Sequence, residues 1–398
     1  MTPIVTVPAG IPVVVAVAGR FEDDTLAVLN QQVAGFEAAN PNIRIELVQA
    51  PRITAERHDQ FAADFEADDA TVDILAVDYP WLAEFAASGW LFPLDDYVRS
   101  SGVDLAAFLP AALEASTIRG QLMALPWTTD GGVLYYRRDL LTKYDHAPPT
   151  TWSELQRIAL DIKAKEGLPY GFVWQGAPYE GLTCNALEFV WAYGGDVLDE
   201  AGQVVFDSPQ TRTALQQLAN LLATGASPSQ VATFQEDQAL SAFRDGDAVF
   251  MRNWFYAWNR VRRDGSAVAG QVGVTPLPSS CLGGRALALS SSSLHKTEAF
   301  RFMAFLTGYD RQFQAALLAE QPAALSAVFE DASLFAADPA WQDLYAALAV
   351  TNPRPVTVRY AELSRAIYTE VNSLLTGQQD PAATATNVQR RIKAIPGQ

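Results

Sequence analysis

Residues 119–144 read RGQLMALPWTTDGGVLYYRRDLLTKY. An apolar strand is expected over 122–125, followed by Pro126-Trp127-Thr128-Thr129-Asp130-Gly131-Gly132 and a second apolar strand over 133–136. Paired glycines reach backbone angles that a Cβ forbids. The segment therefore reads either as a hinge, where extended chain carries Asp130 between two packed bodies, or as a β-turn inside one body.

The length decides how many bodies there are to join. At 398 residues the chain is too long for one comfortable core, and two lobes are expected. A hydrophobic share of 49% and a charged share of 18% describe an ordinary folded protein, so disorder is excluded. Against 45 Asp+Glu there are only 28 Lys+Arg, and the net charge of -17 repels phosphate backbones and anionic lipid. A nucleic-acid partner is disfavoured. His58, His146 and His295 stand singly and two cysteines cannot complete a His/Cys site, so neither a metal nor a cofactor is expected. The apolar run 11–18 is far shorter than the roughly 20 residues of a membrane span, and no basic segment precedes it. It reads as a buried first strand. For a complete chain, the absence of a leader taken alone points to the cytoplasm.

Outward from the central stretch, period and punctuation set the fold class. The Val-rich run 13–18 is followed by helical spacing of Leu26, Leu29, Val33 and Phe36, which Asn40-Pro41 ends. Residues 43–48 alternate as a half-buried strand, 54–67 are helical, and 72–77 form a third strand ending at Asp78. Strands alternating with helices predict an α/β protein whose ligands gather at the carboxyl ends of strands, where Glu22, Arg52 and Asp78 stand. Thr151 with Glu154 forms a candidate capping box opening a second, mainly helical body. Helices are expected over 185–193, 208–222 and 236–243, with a short strand at 249–251 before the aromatic stretch Trp254-Phe255-Tyr256-Ala257-Trp258. Cys281-Leu282-Gly283-Gly284-Arg285 is a second hinge candidate, and Glu320-Gln321-Pro322 a third crossing.

Carboxylates and aromatic rings suggest the chemistry. Glu22, Asp78 and Asp130 can accept paired hydroxyl hydrogen bonds, while Trp127, Trp254 and Tyr256 can cover the C–H face of a sugar ring. Arg52 and Arg354 can supply forked donors. Taken singly, such residues are more often helix caps, solvated carboxylates or core tryptophans. Two carboxylates beside a sugar also fit a glycosidase using Asp78 or Asp130 with Glu22. No G-x-S-x-G, P-loop, dinucleotide fingerprint or H-E-x-x-H occurs, so an enzyme is the minority reading. Cys184 and Cys281 form one disulfide in an exported protein, or two buried thiols in a cytosolic one.

In order along the chain come FEAANPNIRIELV, DILAVDYPWLAEFAASGWLFPLDDY, ALPWTTDGGVLYYRRDLL, PTTWSEL, YEGLTCNALEFVWAYGG, MRNWFYAW, CLGGRALALS and PRPVTVRYAELS. Each is weakly specific alone. As a series covering nearly the whole chain, they resemble the sugar-binding subunits of bacterial ABC importers, in the maltose/trehalose-binding group of extracellular solute-binding proteins. The resemblance implies a two-lobed, hinged, type II periplasmic-binding-protein fold, each lobe a sheet flanked by helices. The lobes are expected at 1–128 plus 285–320 and at 129–284 plus 321–398, with crossings near 126–132, 282–286 and 319–323.

It further implies capture of a mono- or disaccharide between closing lobes, without catalysis, and delivery to a membrane permease. The protein would be a monomer in the periplasm or at the cell surface, with a lipid anchor as one means of attachment, and its cysteines would be bonded. A sugar-sensing or adhesion subunit is a third reading. By position in the motifs, Glu22, Arg52, Asp78, Thr128, Asp130, Trp254, Tyr256, Gly284 and Arg354 correspond to ligand contacts, with Trp254 and Tyr256 as the stacking platform. Arg285 departs from the pattern, since relatives often carry Trp there, and Thr128 stands where an aromatic is common. Either Arg285 adds a cation to the site, admitting a different or acidic sugar, or it faces away and pairs with an acidic neighbour.

Overall fold

A computed structural model describes residues 12–67, 71–199 and 201–396. Ile11, at the start of the expected first strand, lies outside them. The chain divides into two compact units, Met1–Thr129 with Gly284–Leu334, and Asp130–Gly283 with Phe335–Gln398.

In the first unit the Val-rich run is the strand Val13–Gly19, buried over most of its length. Continuous burial is what a strand enclosed within a parallel sheet requires. Its parallel neighbours are Ile43–Gln49 and Ile74–Asp78. The first of these carries alternating exposure because it lies at the sheet's edge. The helices Asp23–Ala39 and Thr54–Glu66 link these strands, so the two βαβ units read from periodicity are present. A fourth strand segment then runs antiparallel to Ile74–Asp78, with Arg285 opposite Asp78 and Leu289 opposite Ile74. Val15, Val17, Phe36, Leu125, Leu287, Phe302 and Met303 belong to the core beneath.

The second unit contributes further strands. Ala248–Trp254 lies between Tyr170–Val173, which is parallel to it, and the second-unit part of Ala124–Arg137, which is antiparallel. Val272–Pro276 pairs with that same long strand, and Cys281 pairs with Asn352. Helices Trp152–Glu166, Glu180–Ala192, Pro209–Ala223, Tyr360–Leu375 and Pro381–Lys393 supply most of the core, including Trp152, Leu187, Leu218 and Ile367. The expected capping box is half formed. The Thr151 hydroxyl accepts from the Glu154 amide at 3.2 Å, but the Glu154 carboxylate accepts from Thr150 at 3.0 Å.

Two expectations change. Residues 126–132 form no turn, because Ala124–Arg137 is one uninterrupted strand. Gly131 and Gly132 are absent from the positive-φ residues, so they are small for reasons of space rather than of backbone angle. A Cβ on Gly132 would collide with the Glu188 carboxylate and the Arg252 guanidinium, and one on Gly131 would press on Thr351. The third passage between units also falls later than Glu320-Gln321-Pro322, at Leu334–Phe335. Residues 321–334 group with the first unit because the Thr129 amide donates to Pro322, Gln312 accepts from the Ala324 amide, and Leu325 bridges to Phe108.

Candidate functional site

In the first unit, sheet register gathers the predicted polar residues. Glu22 caps the N-terminus of Asp23–Ala39 without a side-chain cap bond, leaving its carboxylate to accept from Arg20 at 3.0 Å. Asp78 closes the strand Ile74–Asp78 and is held by Arg57 at 2.9 Å. Opposite it, the Arg285 guanidinium lies 3.8 Å from Glu22 and 3.9 Å from Asp78, both too long for hydrogen bonds. Its close bond is to the Arg20 carbonyl, so the two readings of Arg285 merge into one cation shared loosely by two carboxylates. Burial lowers the pKa of Arg285, with Asp78 opposing the effect. Three guanidiniums thus surround two carboxylates.

Thr128 and Gly284 belong to the same group. The Thr128 hydroxyl accepts from the Arg285 amide at 3.1 Å, and its carbonyl accepts from the Tyr79 hydroxyl at 3.0 Å. Gly284 has φ +100, and a side chain there would collide with the Thr128 carbonyl, so glycine is required twice over. Arg52 is exposed, and its carbonyl accepts from Arg57 at 3.2 Å. Trp127 is only 6% exposed and packs in the core with Leu125 and Leu287.

In the second unit, Asp130, Trp254 and Tyr256 come together. Asp130 accepts from the Phe255 amide at 2.9 Å and from the Gly131 amide at 2.8 Å. Its side chain retains some surface exposure, yet desolvation by the dense protein around it raises the pKa to about 6, against those amides and Arg252. Trp254 ends the strand Ala248–Trp254, partly exposed, with its indole N–H donating to Glu236 at 3.3 Å. The Arg252 guanidinium lies 4.1 Å from the Trp254 ring centroid. Tyr256 is half-buried with Arg260 4.8 Å from its ring, and burial with nearby Glu236 holds its hydroxyl protonated.

Arg354 is placed by other partners. It donates to Glu180 at 2.7 Å and to the Leu282 carbonyl at 3.2 Å, and Tyr360 and Ser364 donate to the same Glu180 carboxylate. Such a network fixes the guanidinium with little freedom to reorient.

The expected disulfide is absent: Cys184 and Cys281 are free, buried thiols. They lie close enough for a thiol hydrogen bond, which together with burial raises the pKa of Cys184. The pairing inferred from an even cysteine count is therefore right in proximity and wrong in bonding. Among the described residues, no group of three His, Cys, Asp or Glu could hold a metal ion.

Several residues around these groups carry no sequence signal. Arg57 and Glu236 sit on ordinary amphipathic helices, and Arg252 reads as a polar interruption of a strand. Glu180 and Arg252 do fall within recognisable motifs, YEGLTCNAL and MRNWFYAW, without being singled out there.

With this geometry in hand, similarity to known proteins is informative. The family model for bacterial extracellular solute-binding proteins matches residues 22–312. A probable ABC transporter-binding protein of Deinococcus radiodurans is 34% identical over 369 residues, covering 89% of this chain and 87% of the relative. The mannitol-binding protein of Pseudomonas aeruginosa is 26% identical over 285 residues, covering 68% of this chain and 64% of that protein. Among solved structures, maltose-bound MalE3 of T. maritima is 39% identical with a TM-score of 0.87, covering 96% of this chain and 99% of that one. Its α/β fold is the fold of this chain. The extent of these matches makes this chain a member of the bacterial extracellular solute-binding protein family.

Proposed function

We propose that this chain is the sugar-binding subunit of an ABC importer and captures a mono- or disaccharide unchanged. The observation that carries the reading is the pairing of Trp254 and Tyr256 with the carboxylates Asp130 and Glu236 in the second unit. Flat rings cover the C–H face of a sugar while carboxylates take its hydroxyls. Support comes from the 39% identity to a maltose-bound protein. Glu22, Asp78, Thr128 and Arg285 are further candidate polar contacts for a sugar and Arg354 a further donor, and capture is a population shift. Arg52, which is exposed, is a further candidate contact.

The sugar is released to a membrane permease, and the protein acts as an extracytoplasmic monomer without turnover. Among the described residues no helix is long and apolar enough to cross a membrane. The deciding experiment is a thermal-shift screen over mono- and disaccharides, with uronic acids included, followed by product analysis. Saturable stabilisation without product is expected. Accumulating product would replace this reading with glycoside hydrolysis, and no stabilisation by any sugar would remove it.

A further inference from the structure

We propose that Arg252 is a positioning residue for Trp254: its buried guanidinium is a rigid bed beneath one face of the indole and presents the ring at the angle at which a sugar meets it. The inference rests on Trp254 being the sugar platform and adds what holds that platform in place.

Residues 252 and 254 lie two apart on one strand and so project from the same face of the sheet. That register brings the guanidinium to 4.1 Å from the ring centroid, within the range of a cation–π contact. A bed must itself be fixed. Arg252 donates to Glu188 Oε2 at 2.9 Å, to the other Glu188 oxygen, and to Gln175 Oε1 at 3.2 Å. Gln175 in turn donates to the Arg252 carbonyl at 2.9 Å, while Asn185 donates to Gln175 and the Cys281 amide to Glu188.

Both charged side chains are 0% exposed. A buried ion pair of this kind seldom adds stability over well-packed apolar residues, so stability alone gives little reason for the arrangement. Its geometric product is a flat, immobile cation under a partly exposed indole. The remaining restraints on the ring are consistent with that role. The indole N–H is tied to Glu236, and a Cβ on Gly283 would come within 2.9 Å of the ring edge, so close packing there depends on glycine. Face, edge and N–H are all held by protein. A platform fixed before the ligand arrives loses less freedom on binding.

The test labels the protein with 5-fluorotryptophan, identifies the Trp254 resonance with Trp254→Phe, and measures maltose affinity by calorimetry. Three variants are compared: Arg252→Lys, the paired replacement Glu188→Leu/Arg252→Met, and that pair in a Trp254→Ala background. The pair avoids stranding one buried charge. In the ligand-free protein, the Trp254 resonance is expected to broaden in the pair and, to a lesser degree, in Arg252→Lys. Maltose affinity should fall at least fivefold in the pair, but less than twofold further when Trp254 is already absent.

An unchanged Trp254 line width, or an equal loss of affinity with and without the indole, overturns the proposal. If the pair does not fold, Arg252→Lys alone carries the same comparison, because it keeps a cation beside Glu188 while giving up the planar fork that forms the flat bed. A Trp254→Ala protein that binds maltose like the parent would instead refute the platform reading, while the line width still decides what Arg252 does.

Discussion

Arg57 and Asp78 form a 2.9 Å ion pair whose side chains are 5% and 17% exposed, and Arg57 also donates to the carbonyls of Pro51 and Arg52. One guanidinium thereby ties two strand ends of the first unit together. Removing it leaves a largely buried carboxylate without its nearest cation. Arg57→Met is expected to lower stability by about 3 kcal/mol, the lower end of the range for breaking a buried pair, in urea denaturation. A change below about 0.5 kcal/mol would show the pair to be dispensable.

Arg285, by contrast, reaches its carboxylates only at 3.8 and 3.9 Å. Arg285→Ala should therefore lose little from those ion pairs, its cost in urea denaturation coming mainly from the bond to the Arg20 carbonyl, about 1.5 kcal/mol. Its effect should appear in ligand choice, with the ranking of neutral sugars and uronic acids in the thermal-shift screen altered. An unaltered ranking would place Arg285 outside the sugar's reach.

Trp254→Ala is expected to weaken sugar binding by about 1 to 3 kcal/mol, taking base-aromatic stacking as the measure. Calorimetry at constant pH checks it. Unchanged affinity would move the platform elsewhere.

Asp130 carries a pKa raised to about 6 from 3.8, chiefly by desolvation, with Arg252 and the amides of Gly131, Phe255 and Tyr256 opposing. Over that interval the folded protein holds a proton that the unfolded chain has released, so Asp130's contribution to stability falls as pH rises and levels off above about 6. Asp130→Asn removes this slope. The stability of the variant relative to the parent should therefore increase between pH 4 and 6.5, on the order of the interval just given, in paired urea titrations. A constant difference would mean that Asp130 does not titrate there. Because a carboxylate accepts sugar hydroxyls best when ionised, affinity should also tighten across pH 5 to 7, on the order of the same interval, and do so less in Asp130→Asn.

Cys184 and Cys281 give a prediction that separates the two bonding states. Protein prepared without oxidant should show two reactive thiols in denaturant and none when folded, since both are buried. A thiol count of zero in denaturant would establish the disulfide.

The extent to which the fold was legible in sequence follows from its physics. The strand Val13–Gly19, the helix Asp23–Ala39 and the strand Ile43–Gln49 were visible because burial writes a period of its own into each type of element. Glu22 and Asp78 were visible for a related reason, since strand ends are where a βαβ sheet displays polar groups. What stayed hidden depends on contacts between distant residues. Gly132 reads as a turn former when only its neighbours are considered, and its need to be small appears once Glu188 and Arg252 are seen beside it. Glu236 stands 18 residues before Trp254, and no local pattern announces their meeting. Trp127 matched the chemistry of a sugar contact, yet its ring was taken up by the core.

The crowding at position 132 also bears on how this lineage can change. Glycine there is compatible with the charged couple at 188 and 252, and any side chain at 132 would collide with that couple. Adding a side chain at 132 meets a collision, and removing one charge of the couple strands the other. The three positions are thus physically coupled, and a change of size or charge at one calls for a compensating change at the others.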